Sequence, residues 1–248
     1  MDFVCDLDGT VWLSGAVIPG ISAAIATARS AGHRFLFATN NSSAAIVDIE
    51  AALANVGVPA VGSVVSSADA TATLVAPRER VYVIGGPGLR EAIRGRGALV
   101  VADPPFDAVA VGRDTSLTFA DLVAANTAIR AGARFIASNT DPTFPTAAGP
   151  EPGGGVIVAA VALASGVEPQ VAGKPFRPMA DAVRAALGGD LSRAIVVGDV
   201  PATDGLLAAR LGVPFALVLS GTTETAAGID PPPAFVASDL VALLGTFA

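Results

Sequence analysis

The sequence predicts an α/β protein whose parallel sheet is covered by helices on both faces, with a smaller α/β unit inserted in it. Three observations carry that expectation. Short apolar runs recur between helix-like stretches, which is the spacing of parallel β-α-β units. Several runs are apolar at successive positions, as in Ala194-Ile-Val-Val197, where a strand wet on one face would alternate. Hydrophobic residues make up 52% of the chain and aromatics 5%, so Ala, Val, Leu and Ile must fill the core.

Taken in order, strands are expected at 3–5, 34–38, 81–84, 108–111, 134–137, 170–172, 194–197 and 215–219. Pro19-Gly20 opens a helix rich in Ala and Ile that stops at Gly32, and Ser42-Ser43 opens a second that stops at Gly57. A third covers 118–131, closed by Gly132, and Pro150-Glu-Pro-Gly-Gly-Gly155 reads as a turn-rich entry to an Ala/Val helix. The polar stretches 77–80 and 166–171 bracket the insertion, giving a main unit of residues 1–76 and 171–248 around an inserted unit of 77–170. A chain of 248 residues lies where single cores stop growing, so either one large or two small units can be filled.

Composition excludes several classes of partner. A net charge of −7, with no local cluster of Lys and Arg, repels a nucleic-acid backbone. The longest apolar run, 156–164, falls short of the roughly 20 residues that cross a bilayer. The N-terminal Met-Asp-Phe-Val-Cys-Asp shows no basic segment ahead of an apolar stretch, so no secretory signal and a cytoplasmic location are expected. Cys5 lies inside an apolar run and is read as a small core residue. His33 falls in a helix-to-strand turn, where a surface or capping role is expected; Gly85-Gly-Pro-Gly88 lacks the spacing of a dinucleotide fingerprint.

The chemistry gathers at strand ends. The first strand runs into Asp6-Leu7-Asp8-Gly9-Thr10, two carboxylates at the carboxyl end of a strand, where open parallel sheets bind ligands. Alone, that segment also fits a turn with Asx-type hydrogen bonds. The second strand ends in Thr39-Asn40-Asn41-Ser42, a hydroxyl followed by polar residues and a helix start, which suits an anion. Gly173-Lys174-Pro175 follows another strand, and Ile195-Val-Val-Gly-Asp199 ends a buried one, with Asp204 five residues later at a helix start. Trp12, just after the first segment, either walls the site or packs.

In this order the four segments resemble the motifs of the haloacid dehalogenase-like hydrolases, in particular the capped phosphatase branch related to nitrophenyl-phosphatases and nucleotide monophosphatases. The likeness extends to Phe37-Ala-Thr-Asn-Asn-Ser-Ser43, Ile129-Arg-Ala-Gly-Ala-Arg-Phe-Ile136 and Asp141-Pro-Thr-Phe-Pro145. The resemblance implies a Rossmann-like core with an inserted cap, and a phosphatase acting on a small phosphate ester through a phosphorylated aspartate. It makes Asp6 the nucleophile and Asp8 the general acid and base. It places Mg²⁺ on Asp6, the main-chain carbonyl of Asp8 and Asp199, with Asp204 supporting from behind. Thr39, Asn40, Asn41 and Lys174 become phosphate ligands; Asp141 and Phe144 are candidates for substrate contact, a Pro-bounded turn being the alternative. Val200 and Phe176 depart from the family pattern near the mouth of the site. The resemblance also allows a homodimer through the cap, and leaves open phosphotransfer or a catalytically silent phosphometabolite-binding role. A dehalogenase would need neither Asp8 nor the metal set.

Overall fold

The computed structural model describes residues 1–13 and 15–247. The chain opens with β1 (Asp2–Cys5), β2 (Trp12–Leu13), β3 (Ala16–Val17), α1 (Ile21–Ser30), β4 (Arg34–Thr39), α2 (Ile46–Asn55), β5 (Val64–Ser66) and α3 (Ser67–Ala72). It continues with β6 (Arg80–Ile84), α4 (Pro87–Gly95), β7 (Leu99–Val100), β8 (Ala108–Val111), α5 (Phe119–Arg130) and β9 (Arg134–Ala137). Next come β10 (Thr143–Thr146), β11 (Gly149–Pro152), α6 (Gly154–Ser165), β12 (Gln170–Val171), α7 (Arg177–Ala186) and β13 (Ala194–Gly198). A π-helical turn at Pro201–Gly205 then leads into α8 (Leu206–Leu211), β14 (Phe215–Val218), β15 (Phe235–Ala237) and α9 (Leu240–Gly245).

Among the described residues the strands form two parallel sheets and two short hairpins. The first sheet has the order β15-β14-β13-β1-β4-β5, the second β12-β9-β8-β6-β7. Because successive side chains leave a strand on opposite faces, β1 sends Phe3 and Cys5 to one core and Val4 to another. Phe3 and Cys5 meet α1, α2 and α9 through Ile25, Leu53 and Leu243, while Val4 meets α7 and α8 through Met179, Val183 and Leu207. Each such fully buried Phe, Leu or Ile contributes about 1.5–3 kcal/mol by leaving water. That is why β1 is apolar at successive positions from Phe3 to Cys5.

The second sheet is built the same way. Val109 and Val111 face α5 and α6 through Ile129 and Val161, and Val81 and Val83 face α4 through Leu89 and Ile93. Helix α3 lies between the two sheets, with Ala68 in the second unit's core and Ala70 in the first's. The Gly85-Gly-Pro-Gly88 segment opens α4, with Pro87 at its first position. Gly88 donates its N–H to the Ser43 carbonyl at 3.0 Å, and a Cβ there would come within 1.9 Å of the Ala44 carbonyl oxygen. Only a glycine lets the insertion sit this close to the loop that follows β4.

Several expectations need correction. The helix after β4 begins at Ile46, not at Ser42-Ser43, because the Asn41 Oδ1 accepts the N–H groups of Ser43 and Ala44 and holds that stretch as a turn. The segment 149–152 is a strand, β11, paired antiparallel with β10, and α6 starts only at Gly154. The second sheet reaches Val171, since β12 pairs with β9, so this strand straddles the expected boundary at 170/171. The helix at 118–131 forms as α5, with Thr118 and Asp121 exchanging hydrogen bonds as a capping box.

Candidate active site

The site lies beyond the carboxyl ends of β1, β4 and β13. Asp6 leaves β1 with its N–H on the Val197 carbonyl at 2.8 Å, and Asp199 leaves β13. Past Asp6 the chain turns sharply over residues 7–11, Val11 donating to the Leu7 carbonyl at 2.8 Å, with Gly9 at φ 80°. Asp199 and Asp204 are 2% and 1% exposed, and Lys174 3%. Charges buried this deeply persist only when paired.

The Lys174 Nζ lies 2.8 Å from both Asp6 Oδ1 and Asp204 Oδ1. Burial alone would lower its proton affinity, but the Asp204 and Asp6 carboxylates outweigh that and raise it, so Lys174 stays an ammonium. Burial raises Asp204, against the pull of Lys174. Asp204 also accepts the Val200 N–H at 3.2 Å, from within the π-helical turn.

Asp199 is held differently. Its Oδ2 accepts the Thr222 N–H at 2.6 Å, while its Oδ1 is buried without a hydrogen-bond partner. A Cβ on Gly9 would stand 2.5 Å from its Cγ, and one on Gly221 2.1 Å from its Oδ2, so two glycines make room for this carboxylate. Asp6, Asp199 and Asp204 each bring an oxygen within 4.8 Å of the others'. Leaving a buried acceptor unpaired costs about 1–3 kcal/mol, more when charged. An all-oxygen set with one orphaned buried carboxylate oxygen fits a hard divalent cation such as magnesium.

The Asp8 side chain takes another course. Its Oδ1 accepts the Trp12 indole N–H at 3.0 Å, and burial, then the neighbouring Asp6, push its pKa up to about 6. A carboxyl near 6 can both give and take a proton at neutral pH. Trp12 therefore touches the site by holding Asp8 as well as by packing.

Thr39 is 2% exposed and accepts the Asn41 N–H at 3.0 Å through Oγ1, which leaves its hydroxyl proton to donate. With its Oδ1 engaged in the turn, Asn41 has no protein acceptor for Nδ2 among the described residues. The Asn40 side chain is taken up within the protein. Its Nδ2 donates to both Asp141 oxygens at 3.2 and 3.0 Å and to the Lys174 carbonyl at 3.2 Å, and its Oδ1 accepts the Lys174 N–H at 2.7 Å. Asn40 is thus a bridge that fixes Lys174 and Asp141 relative to each other. Burial raises the Asp141 carboxyl, against that hydrogen bond.

These groups border one cavity of about 510 Å³ between the two sheets. Asp6, Asp8, Thr39, Asn40, Asn41, Asp141, Phe144, Lys174 and Asp199 all line it; Asp204 stands behind Lys174 instead. Val200 lines it too, whereas Phe176 lies outside its walls, at the start of α7. Sequence reasoning missed Arg113, Asn139 and Thr222 on the same walls. Arg113 pairs with Glu151 and lies over the Phe144 ring at 4.4 Å. Arg113 and Thr222 both follow carboxyl ends of strands, β8 and β14, so the strand-end rule that found Asp6 would have flagged them.

Residues 3–98 match the family model of the haloacid dehalogenase-like hydrolases, and residues 171–243 match a second, HAD-hydrolase-like one. A D-glycerol 3-phosphate phosphatase of Mycobacterium tuberculosis is 39% identical over 227 residues, which cover 88% of this chain; the chain spans 63% of that relative's length. A 5′-nucleotidase of Bacillus subtilis is 34% identical over 226 residues, covering 90% of this chain and 88% of the relative. The crystal structure of glycerol phosphate phosphatase from Mycobacterium tuberculosis in complex with magnesium aligns with a TM-score of 0.89 at 35% identity, over 98% of this chain and 75% of that one.

Proposed function

Because the chain belongs to the haloacid dehalogenase-like hydrolases, we propose that it is a magnesium-dependent phosphatase that cleaves a small phosphate monoester through a phosphorylated Asp6. The observation that carries this is the buried, unpartnered Oδ1 of Asp199 beside the Asp6 and Asp204 carboxylates. The unit of 77–171 acts as a cap over the core of 1–76 and 172–248; support comes from its separate sheet, β12 included, and from a cavity walled by both units.

Asp6 attacks phosphorus as the bond to the ester oxygen breaks, and Asp8 gives its proton to the departing oxygen. Asp8, now ionised, takes a proton from a water that attacks the phosphoaspartate, which releases inorganic phosphate and regenerates Asp6. Asp6, Asp199 and the Asp8 carbonyl would hold Mg²⁺, which when bound would supply positive charge to offset the repulsion between carboxylate and phosphate. Lys174 adds a fixed ammonium beside Asp6, and Asp204 keeps that ammonium in place. Thr39, the last residue of β4, and Asn41, in the loop after it, donate to phosphate oxygens. The Asn40 side chain orients Lys174 and Asp141, which leaves its main-chain N–H to the phosphate.

The test is phosphate release from a panel of small monoesters, with Mg²⁺ and with chelator, for the native protein and Asp6→Asn. Magnesium-dependent turnover that disappears in a folded Asp6→Asn protein is expected. Ester binding without release by the native protein would replace the phosphatase with a phosphometabolite-binding protein.

A further inference from the structure

The wall of the cavity that comes from the inserted unit carries little free positive charge. Residues 142–150, Pro-Thr-Phe-Pro-Thr-Ala-Ala-Gly-Pro, include no ionisable side chain. Two cations border the cavity, Lys174 and Arg113. Lys174 is committed to Asp6 and Asp204, each at 2.8 Å. Arg113 is committed to the hairpin itself: it pairs with Glu151, its Nε donates to the Pro152 carbonyl at 3.3 Å, and its guanidinium lies on Phe144. Phe144 and Glu151 are direct cross-strand partners, so Arg113 clamps both strands at one point.

Asp141 stands on the same wall, and its two oxygens are held by the neutral amide of Asn40. Of the ionisable side chains that this unit brings to the cavity, Asp141 and Arg113, the single cation is already paired with Glu151 just outside the lining. A carboxylate or second phosphate on the substrate would lose its water here and meet no uncommitted cation. A hydroxyl group, in contrast, finds an acceptor in Asp141, and a carbon skeleton finds Pro142, Phe144, Pro145 and Pro150.

We propose that this wall selects against a second negative charge, so that the substrates are phosphate monoesters of uncharged, hydroxyl-bearing alcohols. The inference rests on the phosphatase function proposed above and names its substrate class.

Two matched pairs test it, each differing by CH₂OH against COO⁻: glycerol 3-phosphate with 3-phosphoglycerate, and 2-hydroxyethyl phosphate with 2-phosphoglycolate. 4-Nitrophenyl phosphate serves as the reference. The expected kcat/KM favours the uncharged member of each pair by at least about tenfold. Glu151→Gln, which frees the Arg113 charge, and Thr143→Arg, which adds one at an exposed position, each narrow that gap by about threefold or more, chiefly through KM of the charged ester. Parity, or preference for the charged member, with magnesium-dependent release intact overturns the substrate class and leaves the phosphatase standing. Ratios that neither variant moves overturn it equally, and no release from any of the five esters removes both.

Discussion

Asp8 owes its proton affinity to opposing influences: burial and the nearby Asp6 raise it, and the Trp12 hydrogen bond lowers it. Removing the indole donor takes away the larger of two lowering influences, the other being the Lys174 ammonium. In Trp12→Phe the limb of the kcat/KM profile governed by Asp8 should move to higher pH by about half a unit or more, the worth of one hydrogen bond to a carboxylate. A limb that stays in place would mean that Trp12 only packs. Asp6 and Asp199 were legible because each sits one residue beyond a buried apolar strand, a local pattern. Asn139 was not, since its partner, the Asn40 carbonyl, lies 99 residues away and no local spacing announces it. Arg113 was passed over because a lone arginine after a strand looks like any solvated cation until Glu151 and Phe144 surround it.

At the scale of elements, what could be read were the buried parallel strands and the helix with a full capping signature, Thr118 with Asp121 before Gly132. The β10–β11 hairpin could not, because Pro145, Pro150 and Pro152 argue against strands; they are tolerated here because the hairpin is an isolated two-stranded one. The start of α2 was misplaced because Ser42 and Ser43 have the chemistry of helix caps, while the Asn41 side chain had already taken the local N–H groups. The seat of α4 on the loop after β4 makes one element-level prediction. In Gly88→Ala the added methyl would lie 1.9 Å from the Ala44 carbonyl oxygen, forcing α4 away from the loop that carries Asn41. Overpacking of this kind costs about 1–3 kcal/mol, enough to lower Tm by several degrees, and KM should rise with it. An unchanged KM in a destabilised variant would separate this contact from substrate binding.

Over the whole molecule, three acids share one environment: burial raises the carboxyl groups of Asp8, Asp199 and Asp204. Each binds its proton more tightly folded than unfolded, so its contribution to stability is present at low pH and is lost as pH rises through the folded value, near 6 for Asp8. A bound cation relieves the same ionised groups at neutral pH, and protons compete with it in acid. The rise in Tm on adding Mg²⁺ to chelator-treated protein should therefore be larger at pH 7.5 than at pH 5.5; equal rises would place the cation away from these acids. The alternation of strands and helices made two α/β units legible, but not the way they are joined, because six residues, Ser67–Ala72, are too short a helix to stand out as a pattern. Those residues have a consequence for how the protein comes apart. With Ala68 packed in one core and Ala70 in the other, melting either unit uncovers part of the other, so a single calorimetric transition is expected and two resolved transitions would show the units to be independent.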